Sequence, residues 1–202
     1  LAWFSGKSSL ILALLNFLDH SGTILIDGRD IKSVPHHILR SRITVISQKG
    51  VELSGSVRMN LDPESITSST HRLSDDKLTA ALQKVGLWGP MQSAGANLDT
   101  ELNALSLSSG QKQLLCLARA LLARRSKSLK LVLIDEATSN VDLDTEQRLQ
   151  DVMKEEFQDC TVLMVTHRVS ATEHFDTILQ MGDDKILRTV RRDSETREWI
   201  DA

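Results

Sequence analysis

The chain has 202 residues, enough for one substantial core with a subdomain inserted into it. Its formal charge of −3, with acidic and basic residues intermixed, presents no basic face and argues against nucleic acid as a partner. The longest apolar stretch, Leu10 to Leu18, is interrupted by Asn16 and is about half the length needed to cross a bilayer, so no transmembrane or signal segment is expected. Cys116 and Cys160 sit in apolar stretches without metal-ligand spacing, and both read as reduced core residues.

In chain order, Ser8 to Leu18 is apolar almost all round, which predicts a helix buried between a sheet and a second layer and stopped by His20-Ser21-Gly22. Thr23 to Ile26 reads as a short strand turning at Asp27-Gly28, and Ile43 to Ile46 as another that leads into a polar loop. The Ser- and Thr-rich stretch from Pro63 to Ser74 reads as loop. From Asp75 to Trp88, residues Leu78, Ala81, Leu82 and Val85 recur at helical spacing, and Gly89-Pro90 closes the segment. Gln111 to Arg125 is a stronger helix, with Leu114, Leu115, Ala118, Leu121 and Leu122 on one face and Arg124 and Arg125 in its last turn. Leu131 to Ile134 and Thr161 to Val165 are continuous apolar runs of the kind that parallel strands make under helices, and Asp144 to Phe157 between them reads as a helix. Strand, helix, strand implies a right-handed crossover in an α/β sheet.

Two segments carry the chemistry. Ser5-Gly6-Lys7-Ser8, with Ser9 beside it, precedes the first helix and matches the second half of a phosphate-binding loop. Backbone amides and the helix dipole hold phosphate there, Lys7 reaches the terminal phosphates, and the Ser8 hydroxyl can bind Mg²⁺. Alone, that tripeptide is a common surface turn. The run Leu131 to Ile134 changes the balance, because it delivers Asp135 to the end of a buried strand, placed for the Mg²⁺ shell, with Glu136 placed to polarise a water for in-line attack on a γ-phosphate. Between them lies Leu107-Ser108-Ser109-Gly110-Gln111, the start of a helix whose N-terminus can hold a phosphate.

Together these segments resemble the nucleotide-binding domain of an ATP-binding cassette transporter, from about Ser5 to Ile178. The resemblance also covers Gln48, the stretch Leu53 to Pro63, the turn Ser139-Asn140-Val141-Asp142, and Val165-Thr166-His167-Arg168. The wording of Asn60 to Pro63 and of Gln113 to Leu122 is similar to the second cassette of the multidrug-resistance-associated, conjugate-exporting subfamily, in a fungal member.

The resemblance implies a P-loop NTPase with a mainly parallel sheet flanked by helices, working on ATP with Mg²⁺. It assigns residues 1–48 and 127–190 to the catalytic core, 49–126 to a helical subdomain carrying the signature helix, and 191–202 to a tail. Glu136 would be the catalytic base, His167 would contact the γ-phosphate, and Gln48 would join Mg²⁺ and the attacking water to the membrane-domain contact. Metal ligands would be Ser8, Gln48 and Asp135, with Ser5, Gly6, Lys7, Ser8 and Ser9 on the phosphates. Ser108, Gly110, Gln111 and Asp142 would face ATP held by a second, homologous cassette, so that two cassettes close around two nucleotides. The remaining partners implied are the transmembrane domains of the transporter, which would put the chain on the cytoplasmic face of a membrane. His20, His36, His37, His71 and His174 fit no motif and read as loop or surface residues.

The sequence departs from the family pattern at Leu1 and Phe4, where a phosphate-binding loop has glycine, and Ser47 stands where Pro is usual. A bulky residue held in a left-handed conformation costs roughly 1 to 2 kcal/mol, which corresponds to about one or two decades of ATP affinity. The strand that feeds the loop and the aromatic residue that stacks on adenine have no counterpart, so the first strands of the fold are expected to be missing. After Met181 the closing strand is hard to find in a charged stretch that reads as surface strand, helix or tail. These departures leave open a degenerate cassette with a structural or regulatory role. A soluble cassette ATPase of DNA repair is the other alternative, opposed by the lack of sustained heptads.

Overall fold

The computed structural model describes residues 6–47, 50–66, 72–127, 130–135, 141–166, 175–182, 184, 186–192 and 199–201. In chain order its elements are α1 (Lys7–Leu14), β1 (Leu25–Ile26), β2 (Arg29–Asp30), α2 (His36–Ser41), β3 (Ile43–Ile46), α3 (Val57–Leu61), α4 (Asp75–Lys84) and α5 (Trp88–Ser93). There follow α6 (Ser109–Lys127), β4 (Leu131–Asp135), α7 (Leu143–Glu156), β5 (Thr161–Val165), β6 (Thr177–Met181), β7 (Leu187–Arg192) and β8 (Trp199–Asp201). By internal contacts the chain divides into two compact units, residues 1–36 with 165–202, and residues 37–164.

In the first unit α1 stops four residues before the expected Leu18. Asn16 takes φ 54°, and the amides of Asn16 and Phe17 donate to the carbonyls of Ala13 and Leu12 at 2.9 Å. This is a left-handed C-terminal cap, for which Asn is the usual substitute for Gly, so Asn16 ends the helix rather than interrupting an apolar run. The helix is also less covered than its composition suggests. Ile11 and Leu15 are buried, whereas Leu12 is 41% and Phe17 57% exposed. The Asp27-Gly28 turn forms as expected: both residues have positive φ, at 50° and 74°, and join β1 to β2 as an antiparallel hairpin.

A closing strand does exist after Met181. β6 pairs antiparallel with β7, and β7 with β8, in a three-stranded sheet. Its arginines hide it in the sequence, because β7 reads Leu-Arg-Thr-Val-Arg-Arg and its apolar alternation is weak. The hairpin loop is held by Gly182 N–H to Ile186 O at 3.1 Å, and Asp184 accepts from the Ile186 amide. Of the surface strand, helix or tail read for this charged stretch, Leu187–Arg192 and Trp199–Asp201 take strand.

The second unit carries the α/β core. β3 and β4 are parallel, with Ile43 opposite Leu131 and Ile46 opposite Ile134, and β5 lies on the other side of β4. Val132, Leu133 and Ile134 are fully buried, as a continuous apolar run in a parallel sheet requires. One core joins Ile46 and Ile134 to Leu115, Leu117 and Leu121 of α6, Leu78 and Leu82 of α4, and Leu149 and Val152 of α7.

One helix end differs from expectation in this unit. α4 closes at Gly86 (φ 78°), whose amide donates to Gln83 O while Leu87 N–H donates to Leu82 O, both at 2.9 Å. Gly89-Pro90, expected to end that segment, instead lies in the first turn of α5, where the missing proline N–H has no intrahelical acceptor to lose. Within the loop expected from Pro63 to Ser74, Pro63–Ile66 forms one 3₁₀ turn, and residues 67–71 lie outside the described residues. Cys116 is buried and Cys160 half-buried, and both are free thiols.

Candidate functional site

At the start of α1, Gly6 takes a left-handed conformation (φ 84°, ψ −8°), and a Cβ there would stand 3.3 Å from Met181 Sδ. The left-handed conformation calls for glycine, while the flexible Met181 side chain could give way to a Cβ. A glycine cap supplies no side-chain oxygen to the first-turn amides, and that turn carries no acidic residue, which is the arrangement in which a helix N-terminus takes an anion. Lys7 is half-buried there, and Ser8 and Ser9 are exposed. Ser5, Leu1 and Phe4 lie outside the described residues.

In the second unit, β3 and β4 run in parallel register and finish side by side, with Asp135 half-buried at the end of β4. Gln48 and Glu136, which follow the two strand ends, lie outside the described residues, as does His167 after β5. Among the described residues no group of three or more His, Cys, Asp or Glu side chains could hold a metal ion. Asp135, at the end of β4, offers hard oxygen donors of the type that suits Mg²⁺.

The Leu107 to Gln111 segment builds a reciprocal cap on α6. The Ser108 amide donates to Gln111 Oε1 at 2.9 Å, and the Gln111 amide donates to Ser108 Oγ at 3.2 Å. The Ser-x-x-Gln spacing is the recognised signal for this cap, and sequence reasoning passed it over. The Gln111 side chain is thus used within its own chain, while the Ser108 hydroxyl accepts one bond and keeps its proton to donate.

Gly110 is buried, and a Cβ there would lie 3.2 Å from Thr145 Cγ2 and 3.5 Å from Val141 Cγ1. The first turn of α6 therefore packs directly on the first turn of α7. Asp142 caps α7, accepting from the Thr145 amide at 2.9 Å and from the Thr145 hydroxyl at 2.8 Å. Those bonds, the amide first, hold its carboxyl below the ordinary carboxylate range. The structure thus brings Gly110 and Asp142 together through Thr145, a residue that motif reading did not single out.

The segment after Gln48 is fastened along α6. A Cβ on Gly50 would meet Lys112 Cβ at 2.9 Å, and Lys112 Nζ pairs with Glu52 at 2.9 Å. Arg119 donates to Val51 O at 3.1 Å and to the Asn60 carbonyl, and burial holds the guanidinium below its ordinary value. Asn60 is fully buried, bonding to both Leu53 N–H and Leu53 O. Beside this segment a cleft of about 230 Å³ opens between β3 and α6, lined by Thr44, Val45, Val51, Leu61, Arg119 and Ala123.

A match to the ABC transporter family model covers residues 5–139, which takes in the Gly6 turn, the β4 carboxylate and the α6 cap. The chain belongs to the ABC transporter family. It is 37% identical over 186 residues to "ABC multidrug transporter B" of Aspergillus fumigatus, covering 92% of this chain and 12% of the relative. Identity to "ABC transporter C family MRP4" of Zea mays is 38% over 90% of the chain and 12% of the relative, and to human "ATP-binding cassette sub-family C member 2" it is 39% over 91% and 11%. The chain thus spans only about an eighth of the length of these curated relatives. It is an ATP-binding domain of a family of ATPases, built as a P-loop NTPase fold. No helix among the described residues is long and apolar enough to cross a membrane.

Proposed function

We propose that this chain is the ATP-hydrolysing motor of a membrane exporter, working as one half of a cassette pair. Gly6, Lys7, Ser8 and Ser9, with Ser5, hold the phosphates of its own ATP. Asp135, Ser8 and Gln48 would hold Mg²⁺, which would supply charge neutralisation to the phosphates. Glu136 accepts a proton from the attacking water, Gln48 orients that water, and His167 donates to the γ-phosphate. Across the pair, the Ser108 hydroxyl and the bare backbone at Gly110 meet the partner's nucleotide, with Asp142 in the same interface. Gln111 acts there by fixing the Ser108 turn.

The observation that supports this reading is the packing of the first turn of α6, at Gly110, on the Asp142-capped start of α7, which brings the exposed Ser108 turn and Asp142 of the proposed interface onto neighbouring helix ends. Residues 49–126 form the helical subdomain and residues 1–48 with 127–190 the core. Transmembrane domains dock beside the segment that follows Gln48, where the apolar walls of Val45, Val51 and Leu61 border the cleft. This places the chain on the cytoplasmic face of a membrane. The similarity to sub-family C members supports assignment to a conjugate-exporting cassette.

Gly110→Asp tests the pair. A side chain there would be driven against Thr145 and Val141 of α7 and displace the Ser108 turn, so ATP-dependent association followed by light scattering should be lost while nucleotide binding by the monomer survives. Association of the variant at the parent's ATP concentration would remove Gly110 from the interface.

A further inference from the structure

Thr145 stands where two of the proposed interface residues meet. Its amide and hydroxyl engage both oxygens of Asp142, at 2.9 and 2.8 Å. Its methyl meets the signature turn, since a Cβ on Gly110 would lie 3.2 Å from Thr145 Cγ2. A helix cap alone needs only the backbone amide of this residue. Serine in its place would hold Asp142 without filling the space beside Gly110, and valine would fill that space without donating to Asp142. Threonine does both.

We propose that Thr145 is a positioning residue that ties Asp142 to the signature turn at Gly110, so that the starts of α7 and α6 are presented to the partner cassette as one unit. This rests on the paired-cassette reading above. Thr145 touches no nucleotide and acts through its two neighbours. Loss of either half of the tie uncouples them, leaving each turn free to settle without the other. A residue that merely caps α7 would change stability and leave the ATP requirement for association alone.

The test compares the parent chain with Thr145→Ser and Thr145→Val. Thermal unfolding and binding of a fluorescent ATP analogue by dilute monomer should stay close to the parent in both. The ATP concentration for half-maximal association, read by light scattering, should rise about tenfold in each, within the usual range of coupling between sites. Amide exchange without nucleotide supplies a second reading. Asp142→Ala should speed exchange of the Gln111 and Lys112 amides, which lie across the contact, and adding Thr145→Val should speed them no further. Unchanged Gln111 and Lys112 exchange in Asp142→Ala, or association of both Thr145 variants at the parent's ATP concentration, would overturn the inference alone. Absence of ATP-dependent association in the parent would instead overturn the paired reading, and the inference with it.

Discussion

Arg119, on α6, and Asn60, at the end of α3, clamp the segment after Gln48: the guanidinium donates to the Asn60 carbonyl and to Val51 O, and the Asn60 amide group holds both backbone groups of Leu53. The Arg119 side chain reaches carbonyls far away in sequence, whereas Asn60 closes a local loop onto Leu53. The planar fork serves two strands of chain at once, which an ammonium on a flexible stem cannot do. Arg119→Lys should therefore lower stability by about 2 kcal/mol, from lost hydrogen bonds at a half-buried site. Urea denaturation measures that, and the Leu53 amide should exchange faster in the variant. A variant as stable as the parent would show that the clamp is ornamental.

Gly86 ends α4 in a left-handed conformation, with the Arg148 guanidinium of α7 lying where a side chain would project. The arginine is exposed and can move aside, so the backbone cost dominates. Gly86→Ala is expected to destabilise by about 1 to 2 kcal/mol, read as a lowered denaturation midpoint with unchanged slope. An unshifted midpoint would refute the cap.

The lowered proton affinity of Asp142 gives a pH signature. A carboxyl whose folded value is depressed contributes stability that is complete above its unfolded value, near about 3.9, and is lost as pH falls through the folded value. Asp142→Asn keeps a capping oxygen and removes the charge. The parent should be the more stable of the two at pH 6, and the difference should close as pH drops below the ordinary carboxylate range. Chemical denaturation at pH 6 and pH 3 decides it, and a difference that grew on acidification would contradict the assigned bonds.

Much of the architecture was legible in the sequence where periodicity or a continuous apolar run spoke alone. Leu131 to Ile134 forms a buried strand, and the Leu78, Ala81, Leu82 and Val85 spacing forms a helix. Helix ends were less legible, because Asn16 and Gly86 act through a left-handed backbone that composition does not display. The strand β7 was masked by its arginines. In the candidate site, the positions of Gly6, Asp135 and Ser108 followed from motif spacing. The contacts of Gly110 with Thr145 and of Lys112 with Glu52 did not, since each joins residues tens of positions apart and no local pattern encodes such a pairing. Ser108-x-x-Gln111 was a local signal that was present and overlooked, as was the Ser56 cap that starts α3.

Hydrolysis is proposed to use Glu136 as the base that accepts a proton from the attacking water. Phosphate release by the parent and by Glu136→Gln, at saturating ATP and Mg²⁺ and with nucleotide binding measured in parallel, decides that role. The variant should bind ATP as the parent does and release phosphate at least about 100-fold more slowly, the loss expected when a general base is removed. Equal rates of phosphate release in the two proteins would remove Glu136 from it.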